Sequence, residues 1–244
     1  MTGPIVISIG TTHPWNVAGV GRDLVVGYER GARVFTAVAA VSAQDSGGVR
    51  ALHPTPVENL RLQLAALPWD SAGAVRVGAL GSLENVRAVG DVLRQRAALS
   101  AVVDPVHAAS RGGELTTDAA RYALRDEIAT LANVVLTPNA AEAAAMLGIE
   151  PLDRDSIADA AQALQRRGAQ AVLVKGGDLQ GDPVDALATA DSIELFAEPR
   201  IAASMHGTGC TLAMALACEL ASGTPLIHAV HSARAFVRAE IARH

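Results

Sequence analysis

The chain has 244 residues, half of them hydrophobic and only 3% aromatic, with a formal net charge of −5. That length suits one large α/β domain, 1–244, whose core must be built mainly from Ala, Val, Leu and Ile. The acidic balance, with both signs interspersed, excludes an overall basic field that recruits nucleic acid, and no stretch reaches the roughly 20 apolar residues of a membrane span.

In chain order, residues 5–9 read as a buried strand followed by Gly10, too short and without the basic flank of a signal sequence. Residues 33–41, rich in Val, Phe and Thr, form a second strand. Residues 56–67 carry Val57, Leu60, Leu64 and Leu67 on one helical face, with Pro56 near the start. A strand is expected over 75–80 and a helix over 83–97. Residues 101–103 form a strand ending at Asp104. A helix over 117–128 is capped by Thr116 or Thr117. Strand 134–136 ends at Thr137-Pro138-Asn139. A helix over 156–167 is closed by Gly168. Strand 171–174 ends at Lys175-Gly176-Gly177. Two β-like runs, 186–189 and 193–196, flank Asp191, and two helices over 209–222 and 225–241 complete the chain.

Both cysteines, Cys210 and Cys218, fall in the first of these last two helices. Eight helical residues separate them by about 12 Å, too far for a disulfide, which fits a reduced, cytoplasmic setting. Alternating strands and helices imply a mostly parallel sheet covered on both faces. Ligands of such sheets bind beyond the carboxyl ends of the strands. Asp104, Asn139 with Glu142, Lys175 and the Gly207 loop all fall there.

The segment His206-Gly207-Thr208-Gly209-Cys210-Thr211 precedes an Ala-rich helix. Its glycines allow a tight turn and close approach of a ligand. Helix N-terminal amides favour an anion or a transferring phosphoryl group. Cys210 in the first turn is expected to have a lowered pKa and to accept a proton. The same glycines also suit a plain turn before a core helix. Cys218 reads as core packing. Asn139 and Glu142 share one side of a first helical turn, so Glu142 could hold Mg²⁺ beside a phosphate; the pattern equally suits an N-cap Asn with Glu at N3. Asp104-Pro105 serves either that site or a loop. Lys175 before two glycines suits a nucleotide phosphate or a turn. No Walker A sequence is present, so a nucleotide site must use separate loops.

Together these motifs resemble the ribokinase superfamily and, within it, the hydroxymethylpyrimidine and phosphomethylpyrimidine kinases of thiamine biosynthesis. The resemblance runs from Gly10 to about Ala235. It rests on His206-Gly207-Thr208-Gly209-Cys210-Thr211-Leu212, Thr137-Pro138-Asn139-Ala140-Ala141-Glu142-Ala143, Val174-Lys175-Gly176-Gly177, Val103-Asp104-Pro105-Val106, Ala43-Gln44 and Ala18-Gly19-Val20-Gly21-Arg22-Asp23-Leu24. It implies a ribokinase-like three-layer α/β sandwich with ATP and Mg²⁺ as cofactors, a small-molecule pyrimidine substrate and a homodimer. By the same resemblance, Gly207, Thr208 and Gly209 form an anion hole and Cys210 is the base. Asp104 and Glu142 serve the metal. Lys175, Asn139 and Thr137 serve the nucleotide. Asp23, Gln44, Gly19, Val106 and His107 serve the pyrimidine. Read without the resemblance, Asp23 is a solvated helix charge and Gln44 a loop amide.

The chain departs from the family near the N-terminus. Where the family reads G-T-D-P-S-G-G-A-G, this chain reads Gly10-Thr11-Thr12-His13-Pro14-Trp15-Asn16-Val17-Ala18-Gly19. A-Q-N-T becomes Ala43-Gln44-Asp45-Ser46, D-P-V-M becomes Asp104-Pro105-Val106-His107, and I-G-M becomes Val77-Gly78-Ala79. His13 and His107 are candidates to meet a phosphate already on the substrate, or are structural. The expected reaction is therefore conversion of hydroxymethylpyrimidine phosphate to the diphosphate, with little activity on the free alcohol. The alternatives are a kinase of both pyrimidines, a pyridoxal kinase, or a non-catalytic ligand-binding relative.

Overall fold

The computed structural model describes residues 3–45, 47–109 and 112–243. Ser46, part of the altered Ala43–Ser46 pattern, lies outside them. Nine strands of the described residues form one sheet in the order β3-β2-β1-β4-β5-β6-β7-β8-β9. The strands are β1 Ile5–Thr12, β2 Arg33–Asp45, β3 Gly48–Pro54, β4 Ala74–Val77, β5 Ser100–Val103, β6 Val134–Leu136, β7 Ala171–Val174, β8 Val184–Ala188 and β9 Ile193–Ala197. From β2 to β7 all neighbours run parallel. Antiparallel strands close both edges. The helices are α1 Gly19–Glu29, α2 Val57–Ala65, α3 Leu83–Gln95, α4 Asp118–Ala123, α5 Ala140–Leu147, α6 Ile157–Gln165, α7 Thr208–Ala221 and α8 Leu226–Ala242.

The central strands are Val-rich because both faces are covered. Ile7, Val75, Val103, Leu136 and Val172 point into one core, shared with α2 to α6. Val6, Val102, Val135, Ala171 and Leu173 point into the other, shared with α1, α7 and α8. The two-residue period thus builds a three-layer sandwich. Helix α7 is buried from Thr211 to Cys218, because it lies between the sheet and its neighbours α1 and α8. Its small Ala residues permit that close approach. Cys218 packs there at 3% exposure, and both cysteines are free thiols.

Several boundaries differ from the sequence reading. Strand β4 ends at Val77 rather than 80, although the Gly78 amide still donates to the Ile9 carbonyl of β1 at 2.9 Å. The helix expected over 117–128 divides into α4, capped by the Thr117 side chain, and a π-helical turn over Leu124–Ile128. Edge strand β3 was not expected, and helix α1, implied only by reading Asp23 as a helix charge, was given no bounds. Among the described residues, no helix is long and apolar enough to cross a membrane.

Candidate active site

The carboxyl ends of β4, β5, β6 and β7 lie side by side because those strands are consecutive in the sheet. Asp104 follows β5, and its amide donates to the Val77 carbonyl at 2.9 Å. The β6–β7 pairing continues past Pro138: the Lys175 amide donates to the Pro138 carbonyl at 2.8 Å, and the Ala140 amide to the Lys175 carbonyl at 3.1 Å. This brings the start of α5 beside Lys175. Lys175 Nζ donates to Asp104 Oδ1 at 2.8 Å. Asn139 and Glu142 form a capping box, each side chain accepting the other's amide at 2.8 Å. Glu142 nonetheless lines the cavity. Burial lifts its pKa to about 7 against the pull of Lys175.

Gly207 caps α7 at φ +79°, in the left-handed region, and its carbonyl accepts both the amide and the hydroxyl of Thr211 at 2.9 Å. The amides that follow open the first turn of a 14-residue helix. A Cβ placed on Gly209 would lie 3.1 Å from Lys175 Nζ and 3.6 Å from Asp104 Oδ2. The helix N-terminus therefore sits directly over the Lys175–Asp104 pair. These groups share one cavity of about 570 Å³ with Gly19, Gln44, Val106 and His13, a size that suits a nucleotide and a small acceptor.

Three residues assigned to ligands stand elsewhere. Asp23 is fully enclosed and absent from the cavity wall. Its Oδ2 accepts the Ser8 hydroxyl at 2.6 Å and lies 3.3 Å from Arg76 Nη1. It is neither a solvated helix charge nor in contact with the cavity. Thr137 is also fully buried, its hydroxyl turned to the Val103 carbonyl at 3.4 Å. His107 lies off the wall, and burial lowers its pKa. His13 does line the cavity, with Nε2 accepting the Ala18 amide at 3.3 Å. Trp15 points outward, 56% exposed, beside Asn16 at φ +53°.

Sequence reasoning missed four cavity residues. Arg76, inside the apolar run of β4, is fully buried. Asp185 of β8 accepts the Gly176 amide at 2.9 Å and Arg234 Nε at 2.8 Å. Arg200 donates to the carbonyls of Gly177, Leu179 and Gly181 at 2.6–2.9 Å, holding the loop after Lys175. A charged residue within a strand buried on both faces was the available signal for Arg76. The others pair across elements, which spacing does not reveal.

The family model for phosphomethylpyrimidine kinase matches residues 14–244. The chain belongs to the phosphomethylpyrimidine kinase family. It is 39% identical to the hydroxymethylpyrimidine/phosphomethylpyrimidine kinase of Rhizobium meliloti, over 97% of this chain and 90% of that one. The phosphomethylpyrimidine kinase of Clostridium difficile superposes with a TM-score of 0.85 at 25% identity, covering 98% of this chain and 99% of that one. The pyridoxal kinase of Staphylococcus aureus, solved with AMP-PCP and pyridoxal, gives 0.88 at 27% identity over 99% and 89%. The fold is thus the ribokinase-like sandwich, and the protein is a phosphotransferase of the hydroxymethylpyrimidine/phosphomethylpyrimidine type.

In this kinase Cys210 does not have the lowered pKa expected of a first-turn cysteine. Burial pushes the thiol above its ordinary value, although Arg76 and the Gly19 amide act the other way. Desolvation of a thiolate outweighs the partial charge of the helix end. Iodoacetamide is therefore expected to label Cys210 slowly at pH 7, at a rate that climbs with pH and is still climbing as pH passes 9. Fast labelling at pH 7, resolved by peptide mass spectrometry, would contradict this. Cys218, pushed up to about 12 and buried, should stay unlabelled.

Proposed function

We propose that this kinase transfers the γ-phosphoryl group of Mg²⁺·ATP to hydroxymethylpyrimidine phosphate, yielding the diphosphate and ADP, with little activity on the free alcohol. The carrying observation is the place of Cys210, in the first turn of α7 on the cavity wall, where burial raises its thiol pKa. An alcohol acceptor must lose its proton as the new P–O bond forms and the β–γ bridge breaks. A phosphate monoester is already largely ionised near pH 7, with a second pKa of about 6. A thiol held above its ordinary pKa is a poor base for the first acceptor and is not needed by the second. The loss of the family's Asp from the stretch that holds His13, on the cavity wall, removes a negative charge from the neighbourhood of an anionic acceptor.

Gln44, 8% exposed on the cavity wall, is assigned with Gly19 and Val106 to the pyrimidine. Asp23 and His107 contribute only from behind the wall. Lys175 and Asn139 face the nucleotide, and Thr137 only supports that strand end. The amides of Gly207, Thr208 and Gly209 would stabilise charge on the transferring group, since phosphoryl transfer depends mostly on positioning and electrostatics.

Asp104 and Glu142 would hold Mg²⁺, which when bound neutralises the phosphate oxygens. The donor set fits that metal in a particular way. Asp104 is already engaged by Lys175 and Arg76, and one Glu142 oxygen by the Asn139 amide. Among the described residues no cluster of three metal-ligating side chains exists. Two carboxylates without a closed cage suit Mg²⁺ that keeps its waters and arrives with nucleotide phosphates.

The test is Cys210→Ala assayed with both acceptors. Turnover of the monophosphate should fall less than tenfold, while the already low turnover of the alcohol, whose proton only the small thiolate fraction of Cys210 can take, should fall by about 10²-fold or more. Equally large losses on both would overturn this division of roles.

A further inference from the structure

Among the described residues, Arg76 is the largest side chain that is wholly enclosed. It reaches from β4 beneath the cavity floor, with Nη1 3.3 Å from Asp23 Oδ2 and Nη2 3.6 Å from Asp104 Oδ2. Asp104 Oδ1 in turn takes Lys175 Nζ at 2.8 Å. Three buried charges and a half-buried one, alternating in sign, therefore run from α1 through β4 and the end of β5 to the end of β7: Asp23, Arg76, Asp104 and Lys175. The fold reserves space for the guanidinium. A Cβ on Gly78 would lie 2.1 Å from Nη1, and one on Gly10 would lie 3.4 Å from it.

A buried guanidinium normally meets its carboxylates as a hydrogen-bonded fork. Here none of the three Arg76 nitrogens makes a hydrogen bond of good geometry among the described residues. Buried donors left unmatched are costly and call for a reason. Helix packing alone would be served as well by an apolar side chain of similar volume. What the position supplies is a fixed positive charge between the enclosed Asp23 carboxylate and the Asp104 carboxylate of the cavity wall.

We propose that Arg76 is a positioning residue for phosphoryl transfer: by its charge it fixes the Asp104 carboxylate beneath the Gly209 amide, in register with Lys175. The cation is the working feature and the fork is not, because no fork forms. The inference rests on the kinase activity of the family and not on which pyrimidine is preferred, so hydroxymethylpyrimidine and its monophosphate are both used in the test.

Arg76→Met should lower kcat about 100-fold, the cost of misplacing a group by about 1 Å at a transfer site, while the KM for the pyrimidine stays within about threefold. Arg76→Lys, which keeps the charge without the fork, should retain kcat within about threefold of the unaltered enzyme. Arg76→Met leaves Asp23 as an unpaired buried charge, while Asp104 keeps Lys175, and risks unfolding. The double variant Arg76→Met/Asp23→Asn removes that charge and should fold without regaining kcat. Activities are taken per folded molecule, from circular dichroism melts. A folded variant lacking the cation that turns over at the unaltered rate would overturn the proposal. So would an Arg76→Lys enzyme as slow as Arg76→Met.

Discussion

Replacing Gly207 with Ala is expected to reduce kcat by about 10²- to 10³-fold, the effect of losing one preorganised donor of an anion hole. Two independent obstacles meet at this position. The residue sits at φ +79°, which an L side chain adopts at a cost of about 1–3 kcal/mol. An added Cβ would also lie 2.0 Å from the Val17 carbonyl oxygen. Backbone, not a flexible side chain, is in the way, so either the 13–19 loop or the start of α7 must move. Moving α7 turns the Thr208 and Gly209 amides away from the Lys175–Asp104 pair. Steady-state kinetics on protein shown to be folded checks this. A wild-type kcat in folded Gly207→Ala would mean that these amides do not face the transferring group.

Asp185→Ala is expected to cost about 3–5 kcal/mol of stability, the penalty for stripping a buried cation of its partner. Arg234 is 7% exposed and Asp185 9%. Removing the carboxylate also leaves the Gly176 amide without its acceptor. At about 2–4 °C per kcal/mol for a chain of this size, Tm should fall by roughly 6–20 °C. Because Gly176 follows Lys175, the KM for ATP should rise in the molecules that remain folded. An unchanged melting curve would show that Arg234 finds compensation from Glu198 and the Phe196 carbonyl, with which it also pairs. Asp185→Asn, which keeps one acceptor, should lose less.

The parallel strands were legible because strands covered on both faces appear as unbroken Val and Leu runs, as in Val134–Leu136 and Ala171–Val174. Strand β3 was not legible. It is an edge strand whose residues, Gly-Val-Arg-Ala-Leu-His-Pro, neither alternate cleanly nor sit deep in a core. Helix α1 begins at a glycine with no side-chain cap and carries two more glycines, so the usual start signals are missing. The strand-end residues Asp104, Glu142, Lys175 and the Gly207 loop were legible because adjacent parallel strands must bring their carboxyl ends together. Whether a side chain reaches the cavity was not. Asp23 has its neighbours far along the chain, in Ser8 of β1 and Arg76 of β4, and only the packing of α1 on the sheet determines that it faces inward. The pKa of Cys210 failed for a related reason. A helix N-terminus lowers a thiol pKa at the surface, but burial acts oppositely and is invisible in a motif.

The central claim is that an acceptor which arrives already ionised is the true substrate. The most direct measurement is ATP consumption by the purified protein with Mg²⁺, run in parallel on hydroxymethylpyrimidine, its monophosphate and pyridoxal. Turnover of the monophosphate with a kcat/KM at least about 100-fold above that for the free alcohol, as general-base loss would produce, is the expected result. Equal efficiency on both pyrimidines, or turnover of pyridoxal alone, would contradict it.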